Sequence, residues 1–343
     1  MIHSWTPRLC NPILGHPIHT QIDYSLFALR IRTMGRKVAI ALCERDRSDT
    51  EDLVAYALKF LDQGDSIFLV HAMTSPSPAW VTGGEPRAVE YSNDTGGLPA
   101  WVPDALKTLP CKLTAYGLDA TSFTPVDALI DFVQEVAVDV LLVGSRARSR
   151  VFFSSSSYIA EYCDVVPVLV VKATKETVSS LHLRDPPAAR QIAILLDGTN
   201  ACGRITDFAA RTVLRPADHV FLMHSPAGQE PSATLAAMGN VEAARVSLLG
   251  KGFTHVFPME LVGKSDARDA IVDQLQAGEP PFDLCICGSR GIRGTVKRIF
   301  LGSVSRYVLA HSPCSVMVVP PGVLAQVEPK TEQCQPGSCP EPS

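Results

Sequence analysis

Phe282-Asp-Leu-Cys-Ile-Cys-Gly-Ser-Arg290 repeats, in pattern, the stretch Val138-Asp-Val-Leu-Leu-Val-Gly-Ser-Arg146. In each copy an Asp precedes a short apolar run that ends in Gly-Ser-Arg. Gly144 and Gly288 are 144 residues apart, the length of one domain. Outward from this pair the rest of the repeat appears. In the first copy the apolar runs are 37–43, 66–71, 113–117, 139–144 and 167–171, with helical spacing at 49–61 and 126–136. In the second they are 191–197, 219–224, 256–261, 282–288 and 315–319, with helices near 206–213 and 266–276. His71 and His224 each close the second strand of their copy. Strands apolar throughout and alternating with helices belong in a parallel sheet covered on both faces. The expectation is two tandem doubly wound α/β domains, each with a parallel five-stranded sheet, produced by internal duplication.

Composition bounds the function. The chain has 343 residues, of which 46% are hydrophobic and 19% charged, enough to bury a core in each half. Its net charge is −4 and its pI about 6.1, which argues against a duplex nucleic acid as main partner. No apolar run approaches the roughly 18 residues of a membrane span. The ten cysteines form no CxxC pair and no His lies close enough to a Cys pair to complete a zinc site, so neither a zinc site nor a disulfide framework is expected. A reduced, cytoplasmic setting follows from their apolar surroundings. The boundaries expected are an extension at 1–34, disordered or (being poor in acids) a targeting segment, domains at 35–173 and 190–321, a polar linker at 174–189, and a Pro-rich disordered tail at 322–343.

A doubly wound sheet binds ligands beyond the carboxyl ends of its strands. After the fourth strand of the second copy stands Gly288-Ser-Arg-Gly291-Ile-Arg-Gly294-Thr-Val-Lys-Arg-Ile-Phe-Leu-Gly302-Ser-Val-Ser305. Glycines let backbone N–H groups approach an anion closely. Ser303, Val304 and Ser305 open a helix whose free N–H groups and dipole attract negative charge. Arg290, Arg293, Lys297 and Arg298 add positive potential. The whole reads as a cradle for a di- or triphosphate.

These residues resemble the universal stress protein family, whose nucleotide-binding members carry Gly-x-x-Gly, nine residues, then Gly-Ser or Gly-Thr. Gly288, Gly291, Gly302 and Ser303 match that motif, though residues 292–301 number ten rather than nine. The resemblance extends over roughly 36–173 and 190–320. It implies a Rossmann-like fold of the adenine nucleotide alpha hydrolase kind and a role in stress response. It also implies ATP, ADP or AMP as ligand, with Mg2+ accompanying the phosphates. Asp197, at the end of the first strand, takes the place of the family's ribose or metal contact, and Ser225 that of a residue lining the adenine pocket. Family members dimerise through the terminal strand. The strands at 167–171 and 315–319 could therefore join the two copies as an intramolecular pseudo-dimer, with homodimers left open.

The first copy lacks these features. Aligning the strands puts Cys43 opposite Asp197, Ala147 opposite Gly291 and Ser154 opposite Gly302, and its loop is four residues shorter. It is expected to be a structural partner that binds nucleotide weakly or not at all.

Enzyme classes fall away on missing parts. Gly198 to Gly203 has the glycine spacing of a P-loop, but Arg204-Ile205 replaces the Lys and the magnesium-binding hydroxyl. Neither Gly-x-Gly-x-x-Gly after a first strand nor Gly-x-Ser-x-Gly occurs. Ser154 to Ser157 has no base beside it and reads as a capping loop or a phosphorylation target. Slow ATP hydrolysis is the most the chemistry permits. The competing reading is an interaction scaffold with a vestigial loop. Gly302→Val should abolish ATP binding in a calorimetric titration, while Ser154→Val leaves it unchanged; equal effects would refute the asymmetry between the copies.

Overall fold

The computed structural model describes residues 35–42, 47–62, 64–73, 89–92, 98, 102–107, 112–119, 124–145, 155–172, 189–199, 202–227, 229–262, 265–289 and 301–325. The extension at 1–34, residues 174–188 of the linker, residues 326–343 of the tail and most of the glycine loop lie outside these residues.

The first half runs β1 (Lys37–Leu42), α1 (Arg47–Phe60), β2 (Ser66–Met73), β3 (Val89–Ser92), α2 (Asp104–Lys107), β4 (Lys112–Asp119), α3 (Pro125–Val136), β5 (Val140–Gly144), α4 (Ser155–Tyr162) and β6 (Val168–Val171). The second runs β7 (Gln191–Leu196), α5 (Cys202–Thr212), β8 (His219–His224), α6 (Pro231–Gly250), β9 (Val256–Glu260), α7 (Ala267–Ala277), β10 (Leu284–Gly288), α8 (Ser303–His311), β11 (Ser315–Val319) and α9 (Pro321–Ala325). The ten expected strands are present within one or two residues at their ends; β2 passes His71 and continues to Met73.

The strand order is β3-β4-β2-β1-β5-β6-β11-β10-β7-β8-β9 in a single eleven-stranded sheet. Within each half the order β4-β2-β1-β5-β6 or β9-β8-β7-β10-β11 is parallel and doubly wound. One feature departs from the expectation of five parallel strands per domain. The first half carries an antiparallel edge strand, β3, paired with β4. The sheets are also continuous, because β6 pairs antiparallel with β11, Val168 opposite Val318 and Val170 opposite Val316. Each terminal strand ends its own half and covers the other's open edge, so neither row of N–H and C=O groups is left exposed.

The duplication is visible in capping contacts as well as in strands. Lys37 N donates to Asp139 Oδ2 at 2.7 Å and Gln191 N to Asp283 Oδ2 at 2.8 Å, so the Asp of both repeated stretches ties down the start of its first strand. Arg36 grips Asp65 through Nε and Nη2 at 3.2 and 2.5 Å, and Arg190 grips Asp218 the same way at 3.0 and 2.6 Å.

Alternation along the strands builds one apolar layer on each face. Leu53, Ala57 and Phe60 of α1, Ile205 and Phe208 of α5, and Val241 and Leu248 of α6 pack on one face. Phe132 and Val133 of α3, Ile159 of α4, Ile271 of α7 and Val308 of α8 pack on the other. Both layers cross the β6–β11 joint, with Leu169 and Met317 on the first face and Val170 and Val316 on the second.

Four helices go beyond the sequence reading, among them the short α2. Helix α6 has twenty residues, and its buried positions Ala237, Val241, Ala244 and Leu248 keep helical spacing. Leu235 and Val246 on its outer side are 77% and 55% exposed, so apolar residues occur all round and hide the stripe. Helix α4 begins inside the serine run read as a capping loop. Helix α9 carries regular structure past the boundary expected at 321.

The two halves also meet through charge. Arg36 Nη1 donates to Thr212 O at 2.6 Å, and Arg215 Nη2 to Lys59 O at 2.8 Å, each reaching the last turn of the other half's helix. Arg215 Nε reaches Asp62 Oδ1 at 3.0 Å. Cations at helix C-termini satisfy end carbonyls and complement the dipole. Replacing Arg215 by Met removes one of the two arginines on Asp62 and the donor to Lys59 O at the end of α1, and should cost roughly 1–3 kcal/mol in urea unfolding. No measurable loss would show that apolar packing alone joins the halves.

Candidate functional site

In the second half, α5 follows β7 on one face of the sheet while α8 follows β10 on the other. Because β7 and β10 are neighbours, their connections diverge above the sheet and leave a crevice at the switch in strand order. A cavity of about 290 Å³ lies there. Its floor is the ends of β7, β8 and β10, with Leu196, Asp197, His224, Ser225, Gly288 and Ser289. Its walls are Cys202 and Ile205 of α5, Ala267 and Ile271 of α7, the first turn of α8, and Leu324 of α9.

Seven of the nine residues expected from the sequence line this cavity together: Asp197, Ser225, Gly288, Gly302, Ser303, Val304 and Ser305. Arg290 and Gly291 lie outside the described residues.

The start of α8 is open in the required sense. Gly302 is its N-cap and supplies no side-chain cap, so the N–H groups of the first turn have no side-chain acceptor there. Ser305 departs from a direct ligand role for its hydroxyl. Its Oγ donates to Gly288 O at 2.8 Å, pinning the helix start to the end of β10 and leaving its backbone N–H as the group for an anion.

Asp197 is exposed and shapes its own turn, accepting at Oδ1 from Thr199 N at 2.9 Å and Thr199 Oγ1 at 2.7 Å. Gly198 follows with φ +75°, where a side chain is strained. A Cβ there would stand 2.4 Å from Ala237 Cβ and 2.9 Å from His224 Cε1. Asn240 Nδ2 completes the turn, donating to Gly198 O at 2.7 Å. The carboxylate is therefore aimed by α6, an element the sequence reading did not contain.

His224 is 1% exposed, and its Nδ1 lies 3.0 Å from Leu196 O. A carbonyl only accepts, so Nδ1 carries the proton. Its Nε2 and the neighbouring Ser225 Oγ are buried without a hydrogen-bond partner among the described residues. A buried polar atom left unpaired costs about 1–3 kcal/mol, which a ligand can relieve. Sequence matching singled out His224 only as a strand-end marker; its pairing to Leu196 comes from the register of β7 against β8.

Two thiols line the cavity. Burial, and then the charge of Asp197, push the Cys202 thiol up to about 11; burial pushes Cys287 up to about 12. Both stay protonated near neutral pH and are poor nucleophiles and metal ligands. Among the described residues no cluster of three or more His, Cys, Asp or Glu could hold a metal ion. No helix of the described residues is long and apolar enough to cross a membrane.

In the first half, the counterparts Cys43, Ala147 and Ser154 lie outside the described residues. The buried faces of the helices revise one alignment. Ser156, Ile159 and Ala160 of α4 match Ser305, Val308 and Leu309 of α8. Carried back along the chain, this pairing sets Phe153, not Ser154, opposite Gly302.

Comparison with known proteins bears on the same half. Residues 189–320 match the model of the universal stress protein family. Over 50 residues the chain is 42% identical to a putative universal stress protein of Staphylococcus haemolyticus, covering 15% of this chain and 30% of that protein. The chain thus spans about a third of the curated relatives it matches. A Pseudomonas aeruginosa protein of unknown function, PA1789, aligns in its crystal structure with 87% of this chain and 97% of its own, at 14% identity and a TM-score of 0.51; the likeness concerns the fold. A universal stress protein crystallised in complex with cAMP aligns with 39% of this chain and 98% of its own, at 24% identity and a TM-score of 0.28.

Glycine chemistry offers a direct check on the turn that aims Asp197. Gly198→Ala should destabilise the protein by roughly 2–5 kcal/mol, the sum of a left-handed backbone penalty and a clash with α6. Gly203→Ala, with open space around its Cβ inside α5, should be neutral or stabilising by about 0.4–1 kcal/mol. Thermal unfolding of the two variants separates the cases, and similar midpoints would contradict the geometry.

Proposed function

We propose that the chain, whose residues 189–320 match the model of the universal stress protein family, binds an adenine nucleotide in the crevice of its second half and acts in stress response or signalling. One observation carries this reading: a single cavity brings together an uncapped helix start, a strand-end carboxylate and two buried polar atoms without partners. The phosphates would meet the N–H groups of Ser303, Val304 and Ser305, with Gly288, Arg290 and Gly291 completing the cradle. Asp197 would take the ribose hydroxyls. Ser225 would take a polar edge of the adenine, satisfying a hydroxyl that lacks a partner.

ATP, ADP and AMP all present the groups this cavity would receive. Mg2+ would arrive with the phosphates and use Asp197, since its usual mode is one or two carboxylates plus phosphate oxygens. The role is binding rather than turnover. The groups offered are backbone amides, a carboxylate and a hydroxyl, which hold a nucleotide but do not pair a nucleophile with a base. At most a slow hydrolysis of ATP would accompany it.

The first half would serve as a structural partner. The β6–β11 pairing and the arginine contacts across it support an intramolecular pseudo-dimer, in a reduced cytoplasmic setting. Isothermal titration with ATP, ADP and AMP tests the proposal. Saturable binding of at least one nucleotide, with a dissociation constant in the range of about 1–100 μM, is expected. An absence of heat with all three would leave an interaction scaffold as the better reading.

A further inference from the structure

Helix α6 turns an apolar face outward as well as inward. Its buried residues Ala237, Val241, Ala244 and Leu248 hold one side. The opposite side runs, at the same helical spacing, from Leu235 through Gly239, Ala243 and Val246 to Gly250, all exposed. Leu235, Val246 and Leu249 are 77%, 55% and 37% exposed, and none of the described residues covers them. The charged side chains of the helix are Glu242 and Arg245, forked onto each other at 2.7 to 3.0 Å.

Two glycines on this face have no purpose within the described part of the chain. Glycine inside a helix is the costliest residue after proline. Yet a Cβ at Gly239 or at Gly250 would meet nothing within 4 Å, and neither residue has a positive φ.

A second copy of the helix, laid antiparallel about a twofold axis between Glu242 and Ala243, supplies the purpose. In that register Leu235 faces Gly250, Ala236 faces Leu249, Gly239 faces Val246 and Glu242 faces Ala243. Each large apolar side chain then meets a glycine or an alanine. Charge is complementary in the same register. Glu242 of one copy lies two residues, about 3 Å of helix rise, from the level of Arg245 of the other. The two acids at the axis therefore sit among two guanidiniums.

We propose that the outer face of α6 is a homodimer interface, on which a second copy of this chain packs its own α6 antiparallel. The inference does not depend on the nucleotide reading. A lipid surface or a nucleic acid calls for unpaired cations, and this face offers none. Strand β9, beside α6, is outermost in the sheet, but Pro258 at its middle removes a ladder donor, so strand addition is the poorer route. One helix face falls at or below the small end of stable interfaces, about 1,200 Å² in total, so the dimer should be weak and reversible.

Sedimentation velocity of the full chain from about 1 to 300 μM should show a monomer–dimer equilibrium with a dissociation constant of about 10–100 μM. Gly239→Leu fills the hole for Val246 and should raise that constant at least roughly tenfold. Leucine is the better helix former, so the thermal midpoint of the dilute variant should stay unchanged or rise. Val246→Glu, which adds an acid beside the axis, should weaken association likewise. Ala243→Cys, next to the axis, should cross-link to itself on mild oxidation beyond the level of the unaltered chain. Leu235→Cys should not, because its two copies stand about 22 Å apart along the helices. A chain monomeric throughout, a dimer that Gly239→Leu and Val246→Glu leave intact, or cross-linking through Leu235→Cys in preference to Ala243→Cys would overturn the proposal.

Discussion

The antiparallel contact between Val168–Val171 and Ser315–Val319 is the constraint on which the rest of the molecule depends. A parallel doubly wound sheet ends in an open strand, and two open strands in one chain form a liability unless they are matched. Here each satisfies the other. The apolar layers above and below then become continuous through Leu169, Met317, Val170 and Val316. Charge follows the same line, with Arg36 and Arg215 each capping a helix of the opposite half.

Within this frame the two halves have different chemical opportunities. Both retain the Asp that anchors the first strand, the Arg–Asp clamp before the second, and a Ser N–H bonded to the last strand at 2.9 Å. Those features belong to the scaffold. The second half adds a carboxylate after β7, an uncapped glycine before α8 and a cavity between them. A Cβ at Gly288 would make only ordinary contacts, 3.7 Å to Leu324 and 3.8 Å to Ile205, so packing does not demand glycine there.

The order of strands and helices was legible because parallel strands buried on both faces are apolar runs with clear ends, as in Leu284–Gly288. The candidate site was legible where residue types mark the ends of elements, as with Asp197 after β7 and Gly302 before α8. Helix α6 was not, because Leu235 and Val246 on its outer surface erase the contrast between faces. That gap had a cost for the site, since Ala237 and Asn240 of α6 define the turn that carries Asp197. The helical phase of α4 was also hidden in a run of identical serines, where spacing carries no contrast.

By itself the sequence determined the duplication and the doubly wound class, because these rest on local periodicity and on residue types within short stretches. Only the tertiary structure decided that the halves share one sheet, that His224 and Ser225 are left with unpartnered atoms, and that Ser305 is spent on Gly288. Register, burial and hydrogen-bond partners are relations between segments far apart in the chain. They come into being when the segments pack, and no local pattern encodes them.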